Sequence, residues 1–352
     1  MNIDGPDLED RYRRVLRLLP GYHRARWEDD MVAALLDSRM TGEEDEDEYI
    51  FEFGRPAWPE VASVAALAAR LYLGGAGTPR RYFAWGQAVR RAVLAVALVH
   101  AVQGLTDLAL LAWRRHQASW VPALPASLAG PAPGGLWPAV GHAVNYTWIV
   151  VFLALVLRQY RTARVIAALA VAAGLAFLLQ AQFAGVLPRP LGSWSAWFLF
   201  DLTAVLAMAA FHRDAPPAAR RPWLLAVPGY YLLVTVPVMV LQVAGNQAWL
   251  PDSAGLGCLV VSLACLAHAP KALSSSRRAA GSGEWSLALT VLAAAAGAWR
   301  IVSLGSYVHD PHLTTVSLAE LLILAAAVAL VAPDAARAQT ATPAPPPHPH
   351  PG

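Results

Sequence analysis

The pattern of hydrophobic and polar positions changes once along the chain, near residue 91. Before it, apolar residues recur at helical spacing between charged ones. Leu8, Tyr12, Val15, Leu16 and Leu19 fall at i, i+4, i+7, i+8 and i+11, one stripe of an amphipathic helix. Pro20-Gly21 ends that helix. Trp27, Met31 and Leu35 then repeat at i, i+4 and i+8, with Val32 and Leu36 alongside. An acidic run follows, "EEDEDE" at Glu43–Glu48. A third stripe, Val61, Val64, Leu67, Ala68 and Leu71, opens after Trp58-Pro59. Residues 1–73 are therefore predicted as a small three-helix domain, with a linker over 74–91. A domain of that size covers its own apolar faces poorly and is expected to lean on a membrane, a second copy or a protein partner.

After residue 91 the charges thin out and apolar runs take over. They lie at roughly 92–113, 136–157, 165–186, 194–211, 223–245, 254–268, 285–306 and 315–332, the sixth being short. Runs of about 20 residues match the ~30 Å hydrocarbon core of a bilayer. The fold class is thus all-α: a polytopic α-helical membrane protein with about eight transmembrane helices in 92–332, behind a small helical domain. From Pro333 the chain becomes rich in proline and histidine and ends "PAPPPHPHPG"; 333–352 reads as a disordered or polyproline II tail. The first 80 residues hold no apolar stretch suited to a cleavable signal peptide.

Composition agrees with this division. Of the residues 57% are hydrophobic and only 14% charged, whereas soluble domains carry about 25% charged residues. The net charge of +3 and the lack of a basic, aromatic-interleaved stretch argue against a nucleic-acid partner. Lys271 is the only lysine among many arginines, a composition typical of high-GC bacterial genomes. Cys258 and Cys265 share one helix face, seven positions apart, too far along a helix to be bridged; buried thiols are expected.

Arginine distribution sets the expected orientation. Arg158, Arg161 and Arg164, then Arg213, Arg220 and Arg221, then Lys271, Arg277 and Arg278 fall in alternate loops, and Arg80, Arg81, Arg90 and Arg91 precede the first span. Only Arg114 and Arg115 run against the pattern. Both termini are then cytoplasmic, in a multi-pass protein of the cell membrane whose first partner is the lipid bilayer.

Ionisable and polar residues inside the spans are the candidate functional groups, since a charge at the bilayer centre costs ~3 kcal/mol on insertion scales. They are His100, Gln103, Asp107, His142, Asn145, Asp201, Arg300 and Glu320. His100, Gln103 and Asp107 form an i, i+3, i+7 polar stripe. At 1.5 Å per residue, Asp107 and Arg300 lie ~22 Å from the inner face, Glu320 ~8 Å and Asp201 ~10 Å below the outer face, with His100 nearer the cytoplasm. Two readings stay open. One is an outward-opening polar pocket in which Arg300 pairs with one or more of the carboxylates. The other is helix-end solvation and interhelical hydrogen bonding. Pro228 and Pro237 break the fifth span, a geometry that either forms a binding site or only shapes packing. A faint echo between 199–220 and 318–337 aligns Asp201 with Glu320 and suggests two four-helix halves.

No enzyme constellation is found: the chain lacks a Walker loop, H-E-x-x-H and G-x-S-x-G. His309, Asp310 and His312 read as a turn rather than a metal site, and His348 and His350 are too few for a closed one. Neither a cofactor nor a metal is expected.

The stretch "LEDRYRRVLRLLPGYHRARWEDDMVAALLD" (8–37) carries a resemblance. Its Leu8, Tyr12, Leu16 spacing, the "LLP" at Leu18–Pro20 and the acidic start of "WEDDMVAALL" are similar to the helical prefix domains of the HAAS type. Such domains precede membrane helices in bacterial proteins, some linked to PadR-type regulators and some to permeases. The resemblance implies a cytoplasmic module ahead of the spans. Exposed stripes on its helices, Leu8, Tyr12, Leu16, Trp27, Met31 and Leu35, would dock a cytoplasmic regulator or an ATPase subunit. The expected function is signalling or regulation, the alternative being a transporter or permease subunit that uses the polar pocket.

Overall fold

A computed structural model describes residues 7–39, 44–74, 78–115, 136–183, 192–212, 215–216, 218–244, 252–274, 282–305 and 310–340. Every regular element among them is helical. The N-terminal region holds four helices rather than three: α1 (Leu8–Leu16), α2 (Gly21–Arg39), α3 (Glu44–Phe53) and α4 (Trp58–Tyr72). The additional one, α3, opens within the acidic run, where carboxylates suit the positive end of a helix dipole. Asp7 caps α1 by accepting from the Asp10 N–H at 2.7 Å. Glu60 closes the start of α4 by accepting from the Ala57 N–H and pairs with Arg39 of α2, both at 2.7 Å.

The stripes of α1, α2 and α4 face one another. Tyr12, Leu16, Leu19, Val32, Leu35, Val64 and Ala68 make one buried cluster, with Met31 packed at its edge, and Leu8 is buried on α1 as well. Leu8, Tyr12, Leu16 and Leu35 are thus core residues and not a docking surface. Of the six expected docking residues only Trp27 is strongly exposed, at 43%. Three helices crossing at one point cover stripes that no single pair would.

Eight apolar helical segments follow in the expected order: α5 (Arg80–Arg115), α6 (Leu136–Val156), α7 (Tyr160–Phe183), α8 (Gly192–Ala207) with a 3-10 turn at Met208–Ala210, the broken segment α9 (Arg220–Tyr230) and α10 (Val236–Val243), then α11 (Ser253–Leu273), α12 (Ser282–Leu304) and α13 (Pro311–Thr340). Among the described residues, six are long and apolar enough to cross a membrane, and two shorter apolar helices lie at Ala143–Val156 and Phe198–Ala210. Leu169, Leu225, Leu233, Leu263 and Leu322 are between 63% and 80% exposed. Such girdling leucines fit a hydrocarbon surrounding and not water.

Three boundaries differ from the sequence reading. The expected linker 74–91 is helical from Arg80, because Ala84 and Ala88 are buried and Arg90 and Arg91 find partners. The expected tail is helical to Thr340 in spite of Pro333, because Ala335 packs against Ala88, Leu287 and Ala288. The sixth segment is full length at 21 residues. Between Pro228 and Pro237, Tyr231–Thr235 widens into a π-helical turn, which absorbs the missing proline N–H bonds. A cavity of about 440 Å³ lies where this turn and α10 meet α5, lined by Thr106, Leu110, Trp113, Tyr231 and Met239.

The helices do not divide four and four. The largest core cluster joins α5, α6 and α7 with Met208 and Phe211 after α8, and α9 packs on it through Trp223, Ala226 and Val227. A separate pair of clusters joins α11, α12 and α13 through Cys258, Cys265, Ala293, Ala296, Ala327 and Val331. Both cysteines are buried and free. The two sub-bundles touch where Ala88 of α5 meets α12 and α13. The broken segment therefore belongs to the first sub-bundle, because its partly buried face fits the aromatic-rich side of α5 and α6.

Candidate functional site

The polar residues of the spans form separate groups at different heights. Heights are described from the prefix end, where α1–α4 sit, to the far end. At the far end of the second sub-bundle Arg300 is central. Its Nη1 donates to both oxygens of Asp252 at 2.7 and 2.8 Å, and its Nη2 lies 2.6 Å from Oε2 of Glu320. Arg300 is 3% and Glu320 5% exposed. Asp252 is the N-cap of α11 and also accepts from the Gly255 N–H at 2.8 Å. Gly255 leaves room for the carboxylate: a Cβ there would stand 2.4 Å from Oε1 of Glu320 and would push it aside. Two carboxyl groups thus face one buried guanidinium, Glu320 buried with it and Asp252 partly exposed.

Asp107 and Asp201 do not join it. Asp107 accepts from Nδ2 of Asn145 at 3.0 Å, tying α5 to α6. Asp201 of α8 lies 3.0 Å from Nε2 of His100, whose ring stacks on Trp148 with centroids 4.7 Å apart. This contact puts His100 level with Asp201 rather than nearer the prefix end. Gln103 is exposed and takes no part in these groupings, so the expected stripe does not face the bundle as a whole. The side chain of His142 lies outside the described residues. The single pocket expected from depth is therefore three groupings: the Arg300 triad, the His100–Asp201 pair and the Asp107–Asn145 pair. The acids aligned by the sequence echo, Asp201 and Glu320, have different partners.

Further polar groups gather at the prefix end. The Ser286 hydroxyl donates to Oδ2 of Asp334 at 2.8 Å and stands 3.1 Å from Nε2 of His268, joining α12, α13 and α11. Ser286 is fully buried, so its oxygen ties three helices together and is closed to a substrate. Arg91 pairs with Glu284 at 2.7 Å and lies over the Trp285 ring. Arg164 donates from Nε to the Met208 carbonyl at 3.3 Å and from Nη2 to that of Phe211. Arg90, 4% exposed, donates from Nη1 to the carbonyls of Leu73 and Ala210 at 3.2 and 3.0 Å. Two arginines thereby cap the C-terminal turn after α8, where carbonyls lack helical partners and the dipole favours cations. Leu73 comes this close because Gly86 has no side chain: a Cβ there would be 1.9 Å from the Leu73 oxygen.

Asp252, His268, Ser286 and Asp334 escaped the sequence reading because each lies near the end of a span, where polar residues are ordinary. An Asp immediately before an apolar run is an N-cap signal that points to Asp252. Nothing local points to Ser286. Comparison of the chain with protein families, with curated proteins and with solved structures returns no match.

Proposed function

We propose that the chain is a regulatory membrane protein whose helical prefix domain docks a cytoplasmic partner and is coupled to its membrane bundle. One observation carries this: α5 is joined both to the middle of α8 and to the turn that follows it. Midway along the span His100 meets Asp201, and about 15 Å toward the prefix end Arg90 joins the Ala210 carbonyl to that of Leu73, the last turn of the domain. A change in this ionisable pair, His100 buried and Asp201 partly buried, would move the same two helices that hold the domain. The arginine-rich loops favour the cytoplasmic side for it. Its docking face is then the aromatic surface of α3 and the start of α4: Tyr49, Phe53 and Trp58 are 66%, 50% and 85% exposed, and the first two rings lie 5.3 Å apart. The neighbouring acidic run disfavours anionic lipid and suits a basic protein surface.

The test has two arms in the full-length chain. A photo-crosslinking residue in place of Trp58 is expected to capture a discrete soluble partner in cells, where the same residue in place of Leu233 does not. In nanodiscs, Asp201→Asn is expected to speed hydrogen exchange over 58–74. No adduct and unchanged exchange would overturn the reading. Loss of solute uptake on neutralising Glu320, with exchange over 58–74 unchanged, would favour a transporter instead.

A further inference from the structure

We infer that Arg90 and Arg164 form a binding site for a phosphate-bearing anion, and that this anion competes with the Leu73 carbonyl for the Arg90 guanidinium. The inference rests on the regulatory reading above and names what would act on its latch.

Arg90 is a buried cation whose hydrogen bonds go only to neutral carbonyls. Its two hydrogen bonds both leave from Nη1, and its Nε and Nη2 have no hydrogen-bond partner. Among the described residues it forms no ion pair; Glu284, the acid on the adjoining helix, is engaged by Arg91. The other spans treat their cation differently, since buried Arg300 has two carboxylates. A guanidinium in a poorly solvated place calls for an anion with several acceptor oxygens. Arg164 brings a second guanidinium to the same turn through Met208 and Phe211, and His212, 7% exposed, follows directly. Two arginines thus reach the carbonyls of one turn at the boundary of the spans. Basic pockets between helices at this level suit the phosphate of a lipid headgroup, and a free phosphate offers the same oxygens.

Competition follows from how the guanidinium is covered. Leu73 lies directly against α5 at Gly86, one turn before Arg90, and its oxygen takes one of the two bonds. An anion that adds an Nη1 bond to those of the unused donors must displace the Leu73 oxygen. A phosphate offers the guanidinium several acceptor oxygens and a full negative charge where Leu73 offers one neutral oxygen, so the exchange favours the anion. The prefix domain would then be held by the carbonyl bond in the anion-free state and released in the bound state.

The experiment follows amide hydrogen exchange at Leu73, Gly74 and the first turn of α5 in the full-length protein. One arm compares nanodiscs of phosphatidylcholine with nanodiscs containing phosphatidylglycerol; the other adds inorganic phosphate to protein in detergent. Several-fold faster exchange at these amides is expected. A response to phosphatidylglycerol alone assigns the site to a lipid headgroup, and a response to inorganic phosphate assigns it to the free anion. Arg164→Gln, which leaves the Leu73 bond in place, is expected to weaken the response. Arg90→Gln is expected to exchange fast under all conditions and to ignore both anions. The inference is overturned when neither anion changes exchange, or when Arg164→Gln and Arg90→Gln respond as fully as the unaltered chain. Exchange that answers Asp201→Asn but no anion leaves the regulatory reading standing and removes the anion site; the reverse result removes the coupling and keeps the site.

Discussion

The two sub-bundles solve the same problem, polar groups among apolar helices, in different ways. Around α5–α8 the core is filled by Trp148, Phe152, Leu155 and Met208, and polar residues pair across helices, His100 with Asp201 and Asp107 with Asn145. Around α11–α13 the interior is lined by Cys258, Ser262, Cys265, Ala293, Ala296 and Ala327. There polar residues meet in threes, with Asp252, Arg300 and Glu320 at the far end and His268, Ser286 and Asp334 at the prefix end. Arg300 and Ser286, and likewise Glu320 and Asp334, are separated by about 21 Å of helix, so the two nets register with each other across a dry middle. Small side chains let three backbones approach until one residue from each helix reaches a common point. In the first sub-bundle α5 and α6 also approach closely, at Gly104, but the polar side chains there reach one another in pairs. The three-helix unit is therefore expected to be the rigid body of the protein, and the aromatic sub-bundle, which holds the prefix domain, the adjustable one.

That contrast breaks first at Arg300. Arg300→Gln strands Glu320 and Asp252 without their cation and is expected to lower stability by about 3–5 kcal/mol, read as an early thermal transition in detergent. Glu320→Gln added to it should restore part of the loss, since the buried charge is removed with its partner. Gly255→Ala comes next. Its Cβ displaces the Glu320 carboxylate without deleting a charge, and a loss of about 1–3 kcal/mol is expected by the same measurement. Asp107→Asn sharpens the comparison from the other side. An amide can still bond Asn145, and interhelical bonds of this kind average about 0.6 kcal/mol, so the melting temperature should barely move. Equal losses at Arg300 and Asp107 would show the two sub-bundles to be held alike.

Much of this architecture was legible in the residues. Apolar runs located the eight segments, because a bilayer demands length and hydrophobicity and both are local properties. Buried cysteines and the proline-broken fifth segment followed from spacing for the same reason. The prefix domain was legible as stripes but not as a packed object. Leu8, Tyr12, Leu16 and Leu35 look identical whether a partner or a neighbouring helix covers them, and here neighbouring helices do. α3 was hidden because an acidic run reads as a solvated linker until aromatic residues follow it on the same helix.

The candidate site was half legible. Each ionisable residue was found individually, because a charge in an apolar run stands out. Their partners were not, since depth along a helix says how high a side chain lies and nothing about the direction it faces. Two residues at one height meet only when their helices are neighbours and their faces are turned together, a matter of rotation and crossing that periodicity leaves free. So the chain alone determined that helices cross a bilayer and which of them carry charge. Tertiary packing decided that Asp252 reaches Arg300, that His100 reaches Asp201, and that Arg90 clasps the domain in front, because each of these contacts depends on how two separate helices are turned toward each other.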